Sequence, residues 1–489
     1  MLKTRISNQT NLEQSALSPA FQNIRTIAGL PVRTAVVYLL LFAAAFWFYS
    51  VSWPTAPVML PDSRSYLKAA QDLSDFAIHE LQERAPGYPL LLLLTGSTRS
   101  PERMLFFVSV LLHFASIWLL ASVLYRAGIA EMMLILFSLV LLLPPYVESA
   151  AYVSSENLAE AMLSAGFASC VFWSLHKRTG WILISAITIG CAALTRPTYQ
   201  VLAIAIAGYL LTVTFFMHWP WLKWKDAIKA SLIIICGSAV IVGGYAFVNY
   251  RNFGYFTVSP KLGLTLSLKT VRFVERLPDE YAGIRAALLD ARNAALLEGD
   301  HTGSMYIWKL APELAGITGL SIPELSDYML RVNLLLIEKA PLLYLQDVVS
   351  AFGTYWFPSS SLANMNSRSV QLFWGVIHLF LIGSFFVNAL LLIGALIYVK
   401  MRERFAAPSK QLLVTEPPLV QCQGLLYGLA GTIVFYTAAI SCLIEVGDPR
   451  YRVPTDALII FMVFLGTDLW RRILDLCRTV LEPTEVPGG

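Results

Sequence analysis

A chain of 489 residues that is 56% hydrophobic and only 14% charged, with a mean hydropathy of +0.61, lacks the polar surface of a soluble protein, where roughly a quarter of residues carry charge. Its length would allow about three soluble domains, but long apolar runs cut through any such division. The net charge of +4 is small and the basic residues sit between apolar runs, which argues against nucleic acid and for helix ends anchored at a membrane.

Residues 1–33 are polar and lack the apolar stretch and small-residue cleavage site of a signal peptide. They read as a cytoplasmic tail ahead of a retained anchor. Apolar runs approaching about 17–25 residues follow in chain order at 34–53, 105–125, 132–144, 158–175, 181–194, 199–217, 228–248, 372–399, 425–444 and 456–470; several must borrow neighbours to make a full span. The interrupted apolar segment 341–357 reads as interfacial or re-entrant. The expected fold is an all-α polytopic membrane protein of about ten transmembrane helices with a mostly helical extracytoplasmic loop region. The expected domains are a tail 1–33, a transmembrane module 34–248 with a first outer loop 54–103, an outer loop region 249–371, a second transmembrane module 372–474 and a cytoplasmic tail 475–489.

Charge tests the count. With the N-terminus inside, Arg126, His176-Lys177-Arg178, Lys223 and Lys225, Lys400, Arg402 and Arg404, and Arg471-Arg472 all fall inside, as short loops should under the positive-inside bias. The outside then holds 54–103, 145–156, 195–199, 249–371 and 445–455. Within 280–297, Ile284, Ala287, Leu288, Ala291 and Ala295 recur at helical spacing. Six cysteines, Cys170, Cys191, Cys236, Cys422, Cys442 and Cys477, lie in or beside apolar runs, so there is no disulfide framework and no paired metal-ligand spacing.

The polar clusters able to do chemistry are all on the outer side. Pro61-Asp62-Ser63-Arg64-Ser65-Tyr66 places Asp62 before a short helix, where it reads either as a cap or as a carboxylate that takes a proton near an apolar surface. Arg84-Ala85-Pro86-Gly87-Tyr88-Pro89 is a rigid turn whose Arg84 either snorkels to head groups or meets an anion. Ser154-Ser155-Glu156-Asn157 opens a span. Glu156 there suits the helix dipole, yet an unpaired carboxylate at that depth costs several kcal/mol. In Thr195-Arg196-Pro197, Arg196 is wedged between two spans and needs a partner or a phosphate. Asn249-Tyr250-Arg251-Asn252-Phe253-Gly254 follows the seventh span with the aromatics of an interface belt. Asp448-Pro449-Arg450-Tyr451-Arg452 puts two arginines outside, against the inside bias. An ion-pair network that only locks loops to the bundle is the alternative for the whole set. His113 and His378 lie within spans and read as packed or hydrogen-bonded residues; His301 has no visible partner. Nucleotide-binding glycine loops and the zinc-protease helix motif are absent, and no ligand spacing supports a divalent metal or any other cofactor.

Taken in order, Asp62 and Tyr66, Arg84 to Pro89, Glu156, Leu194 to Pro197, Asn249-Tyr250-Arg251 with Phe253-Gly254, and Pro449 to Pro454 resemble the motifs of the GT-C membrane glycosyltransferases, and look most similar to the bacterial branch of protein mannosyltransferases and the lipid A aminoarabinose transferase. The resemblance spans about residues 34–470 but not the interior of the long loop. It implies a hexosyl- or pentosyltransferase of cell-envelope glycans, acting at the outer face of the cell (inner) membrane. Such an enzyme moves a sugar from a polyprenyl-phosphate donor, undecaprenyl phosphate in a bacterium, to a lipid, glycan or protein acceptor, with inversion. It carries the catalytic carboxylate to Asp62. Some members have a second acid beside it; here Ser63 stands there, so no metal role is carried over. The inventory suits the chemistry: a sugar leaving from phosphate needs arginines on that phosphate, an oxocarbenium-like transition state and one carboxylate for the acceptor proton. Asp62 is the expected base. Arg84, Arg196, Arg450 and Arg452 are expected on the donor phosphate, with Tyr66, Tyr88, Glu156, Asn249, Arg251, Asp448 and Tyr451 around sugar and acceptor. A lipid-linked-sugar transporter or flippase is the main rival. It predicts matching polar positions deep in the spans and a weak two-fold repeat, neither of which the sequence contains. An O-antigen ligase or polymerase, using a pyrophosphate-linked donor, is the other.

Overall fold

The computed structural model describes residues 26–53, 56–77, 84–217, 222–299, 306–358, 368–405 and 418–481. Within them the sheet is one short hairpin, β1 (Thr26–Ile27) against β2 (Leu30–Pro31), and helices make the rest. In chain order they are α1 (Val32–Ser52), α2 (Ser63–Ser74), α3 (Gly87–Leu94), α4 (Arg103–Arg126), α5 (Glu131–Leu141), α6 (Pro144–Val147), α7 (Glu156–His176), α8 (Thr179–Thr195), α9 (Leu202–Met217) and α10 (Trp224–Phe253). The outer loop region contributes α11 (Leu262–Thr270), α12 (Ala282–Leu297), α13 (Ile307–Thr318), α14 (Ile322–Lys339) and α15 (Pro341–Tyr355), before α16 (Arg368–Phe405), α17 (Pro418–Ile444) and α18 (Val453–Leu481).

All ten expected apolar runs are helical. By length and composition, seven helices among the described residues are fit to cross a membrane: α1, α4, α7, α9, α10, α16 and α17. The chain is a multi-pass membrane protein. Three of the ten runs need amendment. Helix α8 has 17 residues, short of a full span, and α18 carries Asp456 near one end and Asp468, Arg471 and Arg472 toward the other. The run at 132–144 is broken. Helix α5 stops at Leu141 and the chain restarts at Pro144, bent by 65°, because Pro144 and Pro145 have no N–H with which to continue the ladder. The freed Leu141 carbonyl accepts a hydrogen bond from His113 Nε2 of α4 at 2.9 Å, and His113 Nδ1 faces Glu160 of α7 at 3.0 Å. That pair ties the break to two neighbouring helices.

Helix α18 is the centre of the bundle. Ala457, Leu458, Ile459, Ile460 and Phe461 are all essentially inaccessible, as in a helix that is apolar all round, and α7, α16 and α17 pack on it. The outer helices have a core of their own around Leu268, Leu288, Ile307, Leu314, Leu325 and Met329. Ile284, Leu288 and Ala295 of α12 are buried in it and Ala287 and Ala291 pack against it, the face expected from their spacing. Lys269, fully buried, reaches Asp347 of α15 at 2.7 Å and Arg272 pairs with the same carboxylate. Helix α15 occupies the segment expected to be interfacial and leaves Leu342, Leu345 and Val349 exposed.

The two ends of the bundle differ in charge pattern. At one, Arg126 meets His176 at 3.1 Å, Arg472 pairs with Asp468 at 2.7 Å, and Gln423 joins Asp468 to the Ala127 carbonyl. These are the short basic loops expected inside. Lys3, Arg5 and Arg25 lie outside the described residues, as do His301 and the side chains of Lys400, Arg402 and Arg404. Asp62, Glu156, Arg196 and Arg450 gather at the other end.

Candidate active site

Three backbone contacts fix the first loop above the start of α7. Val58 N–H donates to the Ala151 carbonyl at 2.7 Å, and Val153 N–H donates to that of Val58 at 3.0 Å. Ser63 Oγ donates to the Val153 carbonyl at 2.8 Å. Asp62 stands at the N-cap of α2 but its side chain caps nothing. It turns instead to Arg84, whose Nη2 donates to Oδ1 at 2.9 Å. The Arg84 guanidinium lies 4.3 Å over the Tyr66 ring and donates through Nε to Ser65 Oγ at 2.9 Å. Tyr66 meets Tyr88 edge to face at 5.0 Å.

Gly87 places that turn. A Cβ there would lie 2.8 Å from the Leu194 carbonyl oxygen, so only glycine lets Arg84-Ala85-Pro86-Gly87 sit on the C-terminal end of α8, next to Arg196. From the far end of the chain, Gly447 (φ +71°) does the same for the last loop: a Cβ would come within 2.2 Å of the Ala351 carbonyl oxygen. Asp448 Oδ1 then accepts the Arg450 N–H at 2.8 Å and turns Arg450 inward.

Glu156 receives both sides. It is 1% exposed, and its Oε1 is 2.9 Å from Arg196 Nη1 and 2.7 Å from Arg450 Nε. Arg450 Nη1 is 3.5 Å from Asp62 Oδ2. The result is one line of alternating charge, Arg84–Asp62–Arg450–Glu156–Arg196, assembled from three outer loops and the start of α7. Burial alone would raise the Asp62 carboxyl, but the charges of Arg84 and Arg450 and the Arg84 hydrogen bond outweigh it and hold the group below the usual carboxylate range. Burial would push the Arg450 guanidinium toward neutrality, and Glu156 and Asp62 keep it charged.

Tyr451 lies under Arg196, whose guanidinium is 5.6 Å from its ring centre. Arg452 sits apart. It is 3% exposed, its Nε donates to Asp456 at 2.7 Å, and its Nη1 donates to the Tyr355 and Phe357 carbonyls at 2.8 and 2.9 Å. Asn249 holds a turn: its Nδ2 donates to the Thr257 carbonyl at 2.6 Å. Arg251 is exposed at the end of α10. Neither Asn249 nor Arg251 joins the charge line. Sequence reasoning missed Glu445, which stands behind Arg196; burial raises its carboxyl above the usual range against the pull of Arg196. It also missed Glu148, which accepts from the Tyr152 hydroxyl at 2.6 Å. Both sat within segments already singled out, Glu445 near the more conspicuous Arg450 and Glu148 in a turn without basic residues.

A cavity of about 210 Å³ opens from the line. Glu156, Asp448 and Arg450 line one part, Tyr146, Trp374 and His378 another. His378 Nε2 donates to the Trp356 carbonyl at 3.0 Å. Beside the line, the Tyr88 hydroxyl and Glu156 Oε2 are buried without an aligned hydrogen-bond partner, with Ser154 the polar residue near both. Among the described residues no group of three histidine, cysteine or carboxylate side chains is arranged to hold a metal ion.

No family model and no curated protein matches the chain. Among solved structures, it is similar to the oligosaccharyltransferase AglB of Archaeoglobus fulgidus, described in complex with an inhibitory peptide and a dolichol-phosphate, at 14% identity and a TM-score of 0.48. That likeness covers 93% of this chain and 53% of AglB, so the chain spans about half the length of that protein. It is also similar to ArnT of Cupriavidus metallidurans in its apo state, at 17% identity and a TM-score of 0.37 over 90% of this chain and 78% of ArnT. ArnT bound to undecaprenyl phosphate gives 15% identity and a TM-score of 0.33 over 90% and 77%. Likenesses of this strength bear on neither substrate nor reaction, which rest on the site's own geometry.

Proposed function

We propose that the protein is an inverting glycosyltransferase. It moves a sugar from a polyprenyl-monophosphate donor, undecaprenyl phosphate if the source is bacterial, to a hydroxyl acceptor at the extracytoplasmic face. The observation that carries this reading is the alternating line of three guanidinium groups and two carboxylates beside a cavity that Glu156 and Arg450 line. A carboxylate and arginines within one cluster also supply both halves of the chemistry.

In the step, Asp62 takes the proton of the acceptor hydroxyl as its oxygen bonds to the anomeric carbon. The bond from that carbon to the phosphate oxygen breaks, and its electron pair stays on the phosphate, where Arg84, Arg196 and Arg450 stabilise the charge. Glu156 keeps Arg196 and Arg450 in place and offers its open Oε2 to a sugar hydroxyl. Tyr66, Tyr88 and Tyr451 wall the site, and helices α11–α15 select the acceptor. Arg452, with Nε and Nη1 already engaged, acts through the position of Tyr355 and the last loop.

Removing the protein from its source cell tests the donor class. Mass spectrometry of the lipid extract should show a polyprenyl-monophosphate sugar accumulating. A pyrophosphate-linked sugar accumulating in its place would contradict the reading and favour a ligase or polymerase. No change in lipid-linked sugars would contradict it outright.

A further inference from the structure

The same line poses a problem for the base. A general base must draw the proton of the acceptor hydroxyl, yet each oxygen of Asp62 faces a guanidinium group that stabilises its charge: Oδ1 takes Arg84 Nη2 at 2.9 Å and Oδ2 faces Arg450 Nη1 at 3.5 Å, while the side chain stays 47% exposed. Of the four ion-pair contacts in the line, the last is the longest; the others are 2.7 to 2.9 Å. Arg450 therefore has a firm hold on Glu156 through Nε and a loose one on Asp62 through Nη1. Its guanidinium can pivot about the Glu156 contact without breaking it. A phosphodiester entering the cluster offers the Nη atoms closer, charge-assisted bonds.

We propose that Arg450 pairs with Asp62 in the free protein and that the donor's phosphate draws it off, so that the acceptor is deprotonated only once the donor is in place. The inference rests on the donor reading above and adds an order to it: donor first, acceptor second. Every charged group facing Asp62 bears on the outcome. Arg84 from the turn before α3 and Arg450 from the last loop favour the ionised form; Glu156 at the start of α7 and Glu445 at the end of α17 oppose it. Moving Arg450 away removes one of the two favourable charges, and the phosphate adds a further unfavourable one. Both changes act in the same direction, toward a stronger base.

The test follows the Asp62 carboxyl in the full-length protein in lipid nanodiscs. Difference infrared spectra across pH give its protonation midpoint, and loss of the band in Asp62→Asn assigns it. Undecaprenyl phosphate is the probe. Its addition should raise the midpoint by at least one pH unit, a tenfold change in proton affinity. Arg450→Gln should raise it with no lipid present, and Arg450→Lys, which keeps the charge, should raise it less. Saturable binding of the lipid with an unmoved midpoint would overturn the inference, as would an unmoved midpoint in Arg450→Gln. If the lipid does not bind at all, it is the donor reading that fails, and the Arg450→Gln arm still decides whether Arg450 pairs with the base.

Discussion

Arg84 and Arg452 both stand close to carboxylates, and the physics assigns them different work. Arg84 is partly exposed, beside a half-exposed Asp62, so its ion pair contributes little to stability. On the proposed reading, its part is to stabilise the donor phosphate. Arg452 is buried against Asp456 and two carbonyls, and removing one partner of a buried pair costs about 3–5 kcal/mol. Arg84→Gln should therefore lower turnover about 100-fold with little change in melting temperature. Arg452→Gln should lower the melting temperature by several degrees. Thermal denaturation and a transfer assay on the two purified variants check this; equal losses of stability would remove the distinction. Asp62 and its arginines were legible in the sequence because charges set against the membrane's inside bias stand out. The different fate of Arg452 was not, since its partners, the Tyr355 and Phe357 carbonyls, lie almost a hundred residues away and carry no signature.

At the scale of the elements, the spans were legible because lipid demands long apolar runs, and seven of the ten expected runs fall on helices fit to cross a membrane. The break after α5 was half-visible. Pro144 and Pro145 were placed at its end, but nothing local announced that His113 would take up the freed Leu141 carbonyl. Two glycines set the active loops: Gly87 against the end of α8 and Gly447 against α15. Neither close approach leaves a mark in the sequence, because both are contacts between distant segments. Gly447→Ala needs a left-handed backbone that alanine adopts poorly and meets a backbone carbonyl. It should displace Arg450 by a fraction of an ångström to an ångström and lower turnover about 100-fold, while α7, α17 and α18 stay packed. Hydrogen exchange confined to the last loop would agree with that. Unchanged turnover would show that this loop does not set the site.

Over the whole molecule, segments far apart in the chain bring their polar residues to one end of the bundle, and the basic short loops occupy the other. Membrane proteins concentrate charge where function requires it, because each buried charge is costly. Here three arginines and two carboxylates form one connected line instead of scattered pairs. The central claim is that the line is a glycosyl-transfer site with Asp62 as its base. The most direct measurement is sugar transfer from a polyprenyl-monophosphate donor by purified wild type and Asp62→Asn, compared at equal donor occupancy. The account predicts donor binding within about twofold of wild type and transfer reduced by about 10²–10⁴-fold in a protein of unchanged melting temperature. Transfer by Asp62→Asn at the wild-type rate would contradict it.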